Sequence, residues 1–186
     1  MVSPMGRRPK ILIGVAAAAA VGISAAVLTW RLGVWGHGRT YSNPSLNFSL
    51  TVPEGWTVRD TSGPVALVVT GPAADDGSRP NVNVVVEPSA ATLDEFARQT
   101  LESLQHTYKD KGFKLIAEGP QGDRRKAPHV YATFEESATG RTVKQRQLYV
   151  IGNGRAYTVT ATATPETFAE YEPEFEAVFR SFRAGE

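Results

Sequence analysis

Three histidines are the first residues to ask about chemistry: His37, His106 and His129. A zinc site needs two or more ligands at short spacing or converging on one point, and only His106 and His129 could meet. His106 stands beside Lys109 and Lys111, where a surface imidazole is the ordinary reading. Asp75-Asp76-Gly77 lacks the alternating oxygens and distal glutamate of a calcium loop, so it reads as a solvated loop. Glu135-Glu136 could suggest paired carboxylates, but neighbours on a strand point to opposite faces. No Gly-x-Ser-x-Gly elbow, Ser-x-x-Lys pair or phosphate-cradling glycine loop is present. With no cysteine in the chain, disulfides, thiol catalysis and cysteine metal sites are excluded. Catalytic, cofactor and metal residues are therefore assigned to none.

Two contact sites remain. Arg124, Arg125 and Lys126 form the one cluster of like charge away from the N-terminus, a candidate contact for anionic lipid or a partner. A solvated turn between two strands is the plainer alternative. Trp30 and Trp35 fall where aromatic anchors at the far headgroup layer would lie. Trp56, at a strand start, reads as core rather than as a ligand platform.

These tryptophans belong to the segment that says where the chain works. Residues 11–30 carry no charge, and twenty helical residues span roughly 30 Å, the thickness of a bilayer's hydrocarbon core. Arg7, Arg8 and Lys10 precede the segment and only Arg31 follows closely, so residues 1–10 are expected in the cytoplasm and the bulk of the chain outside. Residues 11–34 read as a single-pass anchor or a signal segment. Ser24-Ala25-Ala26 satisfies the small-residue rule for cleavage, whereas the apolar run through Val27, Leu28 and Trp30 is long for a signal. No cysteine follows the segment, which excludes a lipobox. Beyond it, sixteen basic residues face all 19 acidic ones, a net −3 that gives no footprint for nucleic acid.

Residues 35–40, with Gly36 and Gly38, read as a flexible spacer, followed by a turn at Tyr41-Ser42-Asn43-Pro44-Ser45. Leu46, Phe48, Leu50 and Val52 alternate with polar residues as a half-buried strand does. Further strands are expected at residues 56–58, 65–70, 81–87, 113–118, 129–135, 143–151 and 156–163, with a polar turn at 119–126. Thr92-Leu93-Asp94-Glu95 is a capping box opening an amphipathic helix that Gly112 ends. Gly152-Asn153-Gly154 is hairpin chemistry. Thr164-Pro165 opens a second helix, and Pro173 is expected to break it, with a third running from there to Arg183. Phe175, Val178, Phe179 and Phe182 make an apolar stripe for packing on a sheet. The class is α+β, a mostly antiparallel central sheet flanked by two or three helices.

Tyr41-Ser42-Asn43-Pro44, Phe48-Ser49-Leu50 and Val52-Pro53-Glu54-Gly55-Trp56 resemble the opening of PsbP-like domains, a layout shared by the DcrB and LpqN-type envelope proteins. The capped helix, the hairpin and the closing Phe179-Arg180-Ser181-Phe182-Arg183 extend the resemblance over residues 41–183. It implies an extracytoplasmic PsbP-like domain over residues 41–186. Its photosynthetic members assist photosystem II, one eukaryotic relative in fold binds a small GTPase, and bacterial members are envelope proteins. No ligand residue of the photosynthetic members maps onto this chain, so calcium, chloride and photosystem binding are not carried over. The expected function is a non-catalytic, membrane-anchored accessory or binding domain of the bacterial envelope. Its expected partners are the cytoplasmic membrane and an envelope protein or small ligand. A secreted carrier of a small apolar ligand is the alternative, and an envelope hydrolase assembled only in three dimensions a third.

Overall fold

The computed structural model describes residues 38–61, 64–75, 77–121, 129–137 and 140–185. In chain order these form β1 (Arg39–Asn43), β2 (Phe48–Val52), β3 (Thr57–Asp60), β4 (Val65–Thr70), β5 (Asn81–Pro88), α1 (Leu93–Tyr108), β6 (Lys114–Gln121), β7 (His129–Glu136), β8 (Val143–Gly152), β9 (Arg155–Ala163), α2 (Pro165–Ser181) and β10 (Arg183–Ala184). The class is α+β, as its antiparallel strands and two helices require.

Seven strands make one antiparallel sheet in the order β3-β4-β5-β9-β8-β7-β6. The other three form a small sheet, β1-β2-β10. The large sheet is wound from hairpins. Asn153 and Gly154, at φ 51° and 70°, take the positive φ angles that a two-residue turn needs, and β8 and β9 pair from Gly152–Arg155 onward. β9 then lies against β5, so the centre of the sheet joins segments far apart in sequence.

Each face of the large sheet carries one helix. α1 packs on β7 and β8. Its capping box is formed: the Thr92 amide donates to Glu95 Oε2 at 2.9 Å, and the Glu95 amide donates to Thr92 Oγ1 at 3.3 Å. Inside, Phe96 meets the Tyr149 ring edge-on at 5.9 Å, and Tyr108 and Phe113 flank the buried Phe134. Removing the cap with Thr92→Ala is expected to cost about 1 kcal/mol, read as a lower urea midpoint at unchanged slope.

The opposite face carries α2 and the small sheet, and the main core lies between. Phe48, Leu50 and Val52 of β2 join Val82 and Val84 of β5, Tyr157 and Val159 of β9, and Phe168, Phe175 and Phe179 of α2. Trp56 is buried there with its ring 6.0 Å from Phe175, so it is core.

Three expectations are corrected. The sequence places a break at Pro173, yet α2 is one helix of 17 residues with that proline inside. Pro173 and Ala169, whose carbonyl loses its partner, are both exposed. Solvent can serve that carbonyl, while Phe168, Tyr171, Phe175, Val178 and Phe179 pack on both sides of the break and keep the helix whole. Residues 39–43, read as the end of a spacer and a turn, are strand β1, paired along its length with β2. The turn comes later, around Asn47 at φ 56°. Finally, residues 119–121, assigned to a polar turn, continue β6 opposite β7.

Candidate functional site

Pairing in register lines up polar side chains across the α1 face of the large sheet. Asn83 of β5 stands opposite Thr160 of β9, and Thr160 opposite Gln147 of β8. The next row is Asn81–Thr162–Gln145, and on the other side lies Val85–Thr158–Tyr149. Residues directly opposite in a ladder share a face, and every second residue along a strand does too, so these nine positions form one surface. The alternate residues of β9, Tyr157, Val159 and Ala161, fill the main core on the reverse side. β9 thus reads apolar on one face and hydroxyl on the other.

This surface is polar but withdrawn. Asn83, Thr160, Thr162 and Gln147 are 9, 5, 7 and 7% exposed. Gln147 Oε1 accepts from the Tyr149 hydroxyl at 2.7 Å. Among the described residues, no side-chain hydrogen bond is made by Asn83, Thr160 or Thr162. On α1, which packs on β7 and β8, two oxygens, Gln99 Oε1 and Thr100 Oγ1, are buried without a partner. Buried polar atoms are nearly always paired, so these two oxygens are the exceptions among the described residues.

Charge enters only at the margin. Burial pushes the Tyr149 phenol well above its ordinary range, with Glu118 adding to the shift, so the ring stays neutral. One row beyond Tyr149, Glu87 lies opposite Ala156, and burial lifts its carboxyl above the usual value. A raised carboxyl pKa means that the native state holds the proton more tightly than the unfolded one. Glu87 therefore contributes most below the unfolded value of 4.5, and that contribution is lost as pH rises through the folded pKa. Relative to wild type, Glu87→Gln is expected to gain stability between pH 4 and pH 7, measured by urea unfolding at the two values.

On the α2 face one cation serves two carboxylates. Arg146 of β8 donates from Nη1 to Glu176 Oε1 at 2.5 Å and from Nη2 to Glu172 Oε1 at 2.7 Å. Lys144 and Arg146 also lie over the Phe168 ring, at 4.7 and 5.7 Å. The cluster ties α2 to β8 and covers a core ring, which is a structural use of charge.

Two of the histidines singled out from sequence are carried by different elements. His106 is exposed on α1, and His129 opens β7 opposite Gln121. Among the described residues no group of three or more histidine, cysteine or acidic side chains could hold a metal. The loop at residues 73–80, pinned at its base by the Gly71 amide on the Pro80 carbonyl at 2.8 Å, joins β4 to β5. Arg124, Arg125 and Lys126, the anchors Trp30 and Trp35, and His37 lie outside the described residues. So do residues 11–34; among the described residues no helix is long and apolar enough to cross a membrane. Where a carrier would hold an apolar ligand, between sheet and α2, the rings of Trp56, Phe168, Tyr171 and Phe175 pack on one another.

Comparison with solved structures identifies the fold. The cyanobacterial PsbP of Synechocystis superposes with a TM-score of 0.57 at 14% identity, covering 84% of this chain and 98% of that one. A protein of unknown function from Pseudomonas aeruginosa gives 0.55 at 20% identity, covering 76% and 92%. LpqN of Mycobacterium tuberculosis, described as involved in cell envelope biogenesis, gives 0.52 at 14% identity, covering 78% and 83%. The fold is PsbP-like. No curated protein sequence matches the chain significantly. The sequence pattern described as the serine/threonine kinase C-terminal domain matches residues 41–184, from the start of the Tyr41 motif through β10, and the chain belongs to that family.

Proposed function

We propose that this chain is a non-catalytic binding domain of the bacterial cell envelope, held at the outer face of the cytoplasmic membrane by residues 11–34. One juxtaposition carries the reading. An uncharged stretch of bilayer length, preceded by Arg7, Arg8 and Lys10, leads within a few residues into the family's domain at residue 41. The family's description places its domain at the C-terminal end of serine/threonine kinases. Outside the membrane, such a domain can bind a ligand while phosphoryl transfer is done elsewhere. The envelope role of LpqN supports the location. Among the described residues, neither His106, the Arg146 cluster nor the threonine array pairs a nucleophile with a base, and this supports reading the domain as a recognition module.

The test is the intact mass of the protein from the membrane fraction. The proposal expects the uncut 20.1 kDa chain, retained after carbonate washing. A chain beginning near Val27 in the soluble fraction would contradict it and favour a secreted domain.

A further inference from the structure

We propose that the end of the large sheet at which β1 begins rests on the membrane, with Lys109, Lys111, Lys114, Arg141 and Lys144 against anionic lipid headgroups. This goes beyond the reading of residues 11–34 as an anchor and rests on it.

Gly38 and Arg39 fix which end of the domain the chain reaches first. The Gly38 site leaves no room for a Cβ against the Val52 carbonyl oxygen, and Arg39 pairs with Val52. A turn closed by the Trp56 amide on the Pro53 carbonyl at 3.2 Å leads from Val52 to Thr57, the start of β3. From there one row crosses the large sheet. Thr57 lies opposite Thr70, Thr70 opposite Asn81, Asn81 opposite Thr162, and Thr162 opposite Gln145. One residue nearer the end, Lys144 lies opposite Glu135, and Glu135 opposite Lys114. Four extended residues span at most about 14 Å, so Gly38 holds this end within that distance of residue 34.

The five cations gather at the β6–β8 corner of that end. α1 runs out there into Lys109 and Lys111, both exposed, and Lys114 is exposed at the start of β6. The Ser137 amide donates to the Lys111 carbonyl at 2.7 Å, and the Ser137 and Thr142 hydroxyls share a hydrogen bond at 2.8 Å. These bonds tie the end of α1 to the connection that carries the exposed Arg141, with Lys144 just beyond it in β8. Against the five stand Asp110, Glu135 and Glu136, so the corner carries a net +2. The chain beyond residue 34 carries −3, which leaves −5 for the rest of the domain. An anionic surface attracts this corner and repels the remainder, so it turns the tethered domain one way round.

The opposite end is closed by other contacts. Arg155 donates to the Ser45 carbonyl at 3.1 Å, and Asn153 to the Gly185 carbonyl at 2.7 Å. Gln121 and His129 pair at that end too, and Arg124, Arg125 and Lys126 fall between them in sequence. That triplet therefore takes no part in the lipid contact. A lipid surface asks for no pocket, because its smeared negative charge meets cations wherever they stand. Each lysine or arginine near it favours contact by about fivefold.

The full chain carries a fluorophore on Thr107→Cys, exposed in the last turn of α1, or on Ser45→Cys at the opposite end. It is reconstituted into phosphatidylcholine bilayers with or without phosphatidylglycerol, each containing a lipid with a spin-label quencher on its headgroup. With phosphatidylglycerol, quenching is expected to be at least about threefold stronger at position 107 than at position 45. The excess should vanish without phosphatidylglycerol, and in 1 M salt, where the Debye length is about 3 Å. Lys109→Gln, Lys111→Gln and Lys114→Gln together should remove it, and the same three changes to arginine should keep it. Equal quenching at the two positions overturns the proposal. So does an excess that persists without phosphatidylglycerol, or one that is lost when Arg124, Arg125 and Lys126 are neutralised instead. Such a failure in vesicles that keep the chain through carbonate washing rejects the placement of this end alone. A chain washed off the vesicles rejects the anchor with it.

Discussion

Phe175→Ala is expected to destabilise the domain by about 3–5 kcal/mol, the largest effect of any single substitution proposed. Phe175 is fully buried at the middle of α2, with the Phe168 ring at 5.1 Å, the Trp56 ring at 6.0 Å and 82°, and the Tyr171 ring at 6.5 Å. Truncation removes the transfer free energy of the ring and leaves a cavity that three rigid aromatic neighbours are poorly placed to fill. For a domain of this size the loss corresponds to a fall in Tm of roughly 10 °C. Trp56, the sole tryptophan among the described residues, touches the site and reports unfolding by fluorescence. A loss below about 1 kcal/mol would mean that α2 is not seated on the sheet through this ring.

Arg146→Met is expected to cost about 1–3 kcal/mol, between the values typical of exposed and of buried ion pairs. The Arg146 side chain is 19% exposed, against 44% for Glu172 and 24% for Glu176. Removing the guanidinium leaves two carboxylates, four residues apart on α2, facing each other without a shared cation. Methionine keeps most of the apolar cover over Phe168, so the loss reports charge more than packing. Adding Glu172→Gln and Glu176→Gln should recover most of it, because the repulsion disappears with the charges. A triple variant as unstable as Arg146→Met alone would show that the arginine acts through packing instead. The comparison is made by urea unfolding of the single, double and triple variants.

Much of this architecture follows from local pattern. The stripe Phe175, Val178, Phe179 and Phe182 is the face that α2 and its cap bury, and Thr92 with Glu95 starts α1 where its spacing predicts. Asn153-Gly154 closes the hairpin that its chemistry demands. What local pattern misreads is decided by distant partners. Pro173 breaks a helix in isolation, but here packing on either side outweighs one lost hydrogen bond at an exposed position. Tyr41-Ser42-Asn43 has turn composition and becomes a strand because β2 offers it a ladder.

The threonine array is not legible in the sequence. Thr158, Thr160 and Thr162 occupy the polar phase of β9, which in sequence looks like any solvated strand face. Only the pairing of β9 with β5 and β8 sets Asn83 and Gln147 beside Thr160, and no sequence spacing reveals that register. Thr100 interrupts an otherwise apolar helix face, and only the seating of α1 on the sheet leaves its oxygen buried without a partner.

The proposed placement of this domain outside the cell is tested most directly by cysteine accessibility, since the chain has no cysteine of its own. Ser45→Cys puts one thiol on an exposed turn of the domain, and Ser3→Cys puts one ahead of the uncharged stretch. In intact cells a membrane-impermeant maleimide should label the thiol at position 45 and reach position 3 only after lysis. Labelling at position 45 that also requires lysis would place the domain inside the cell and contradict the account.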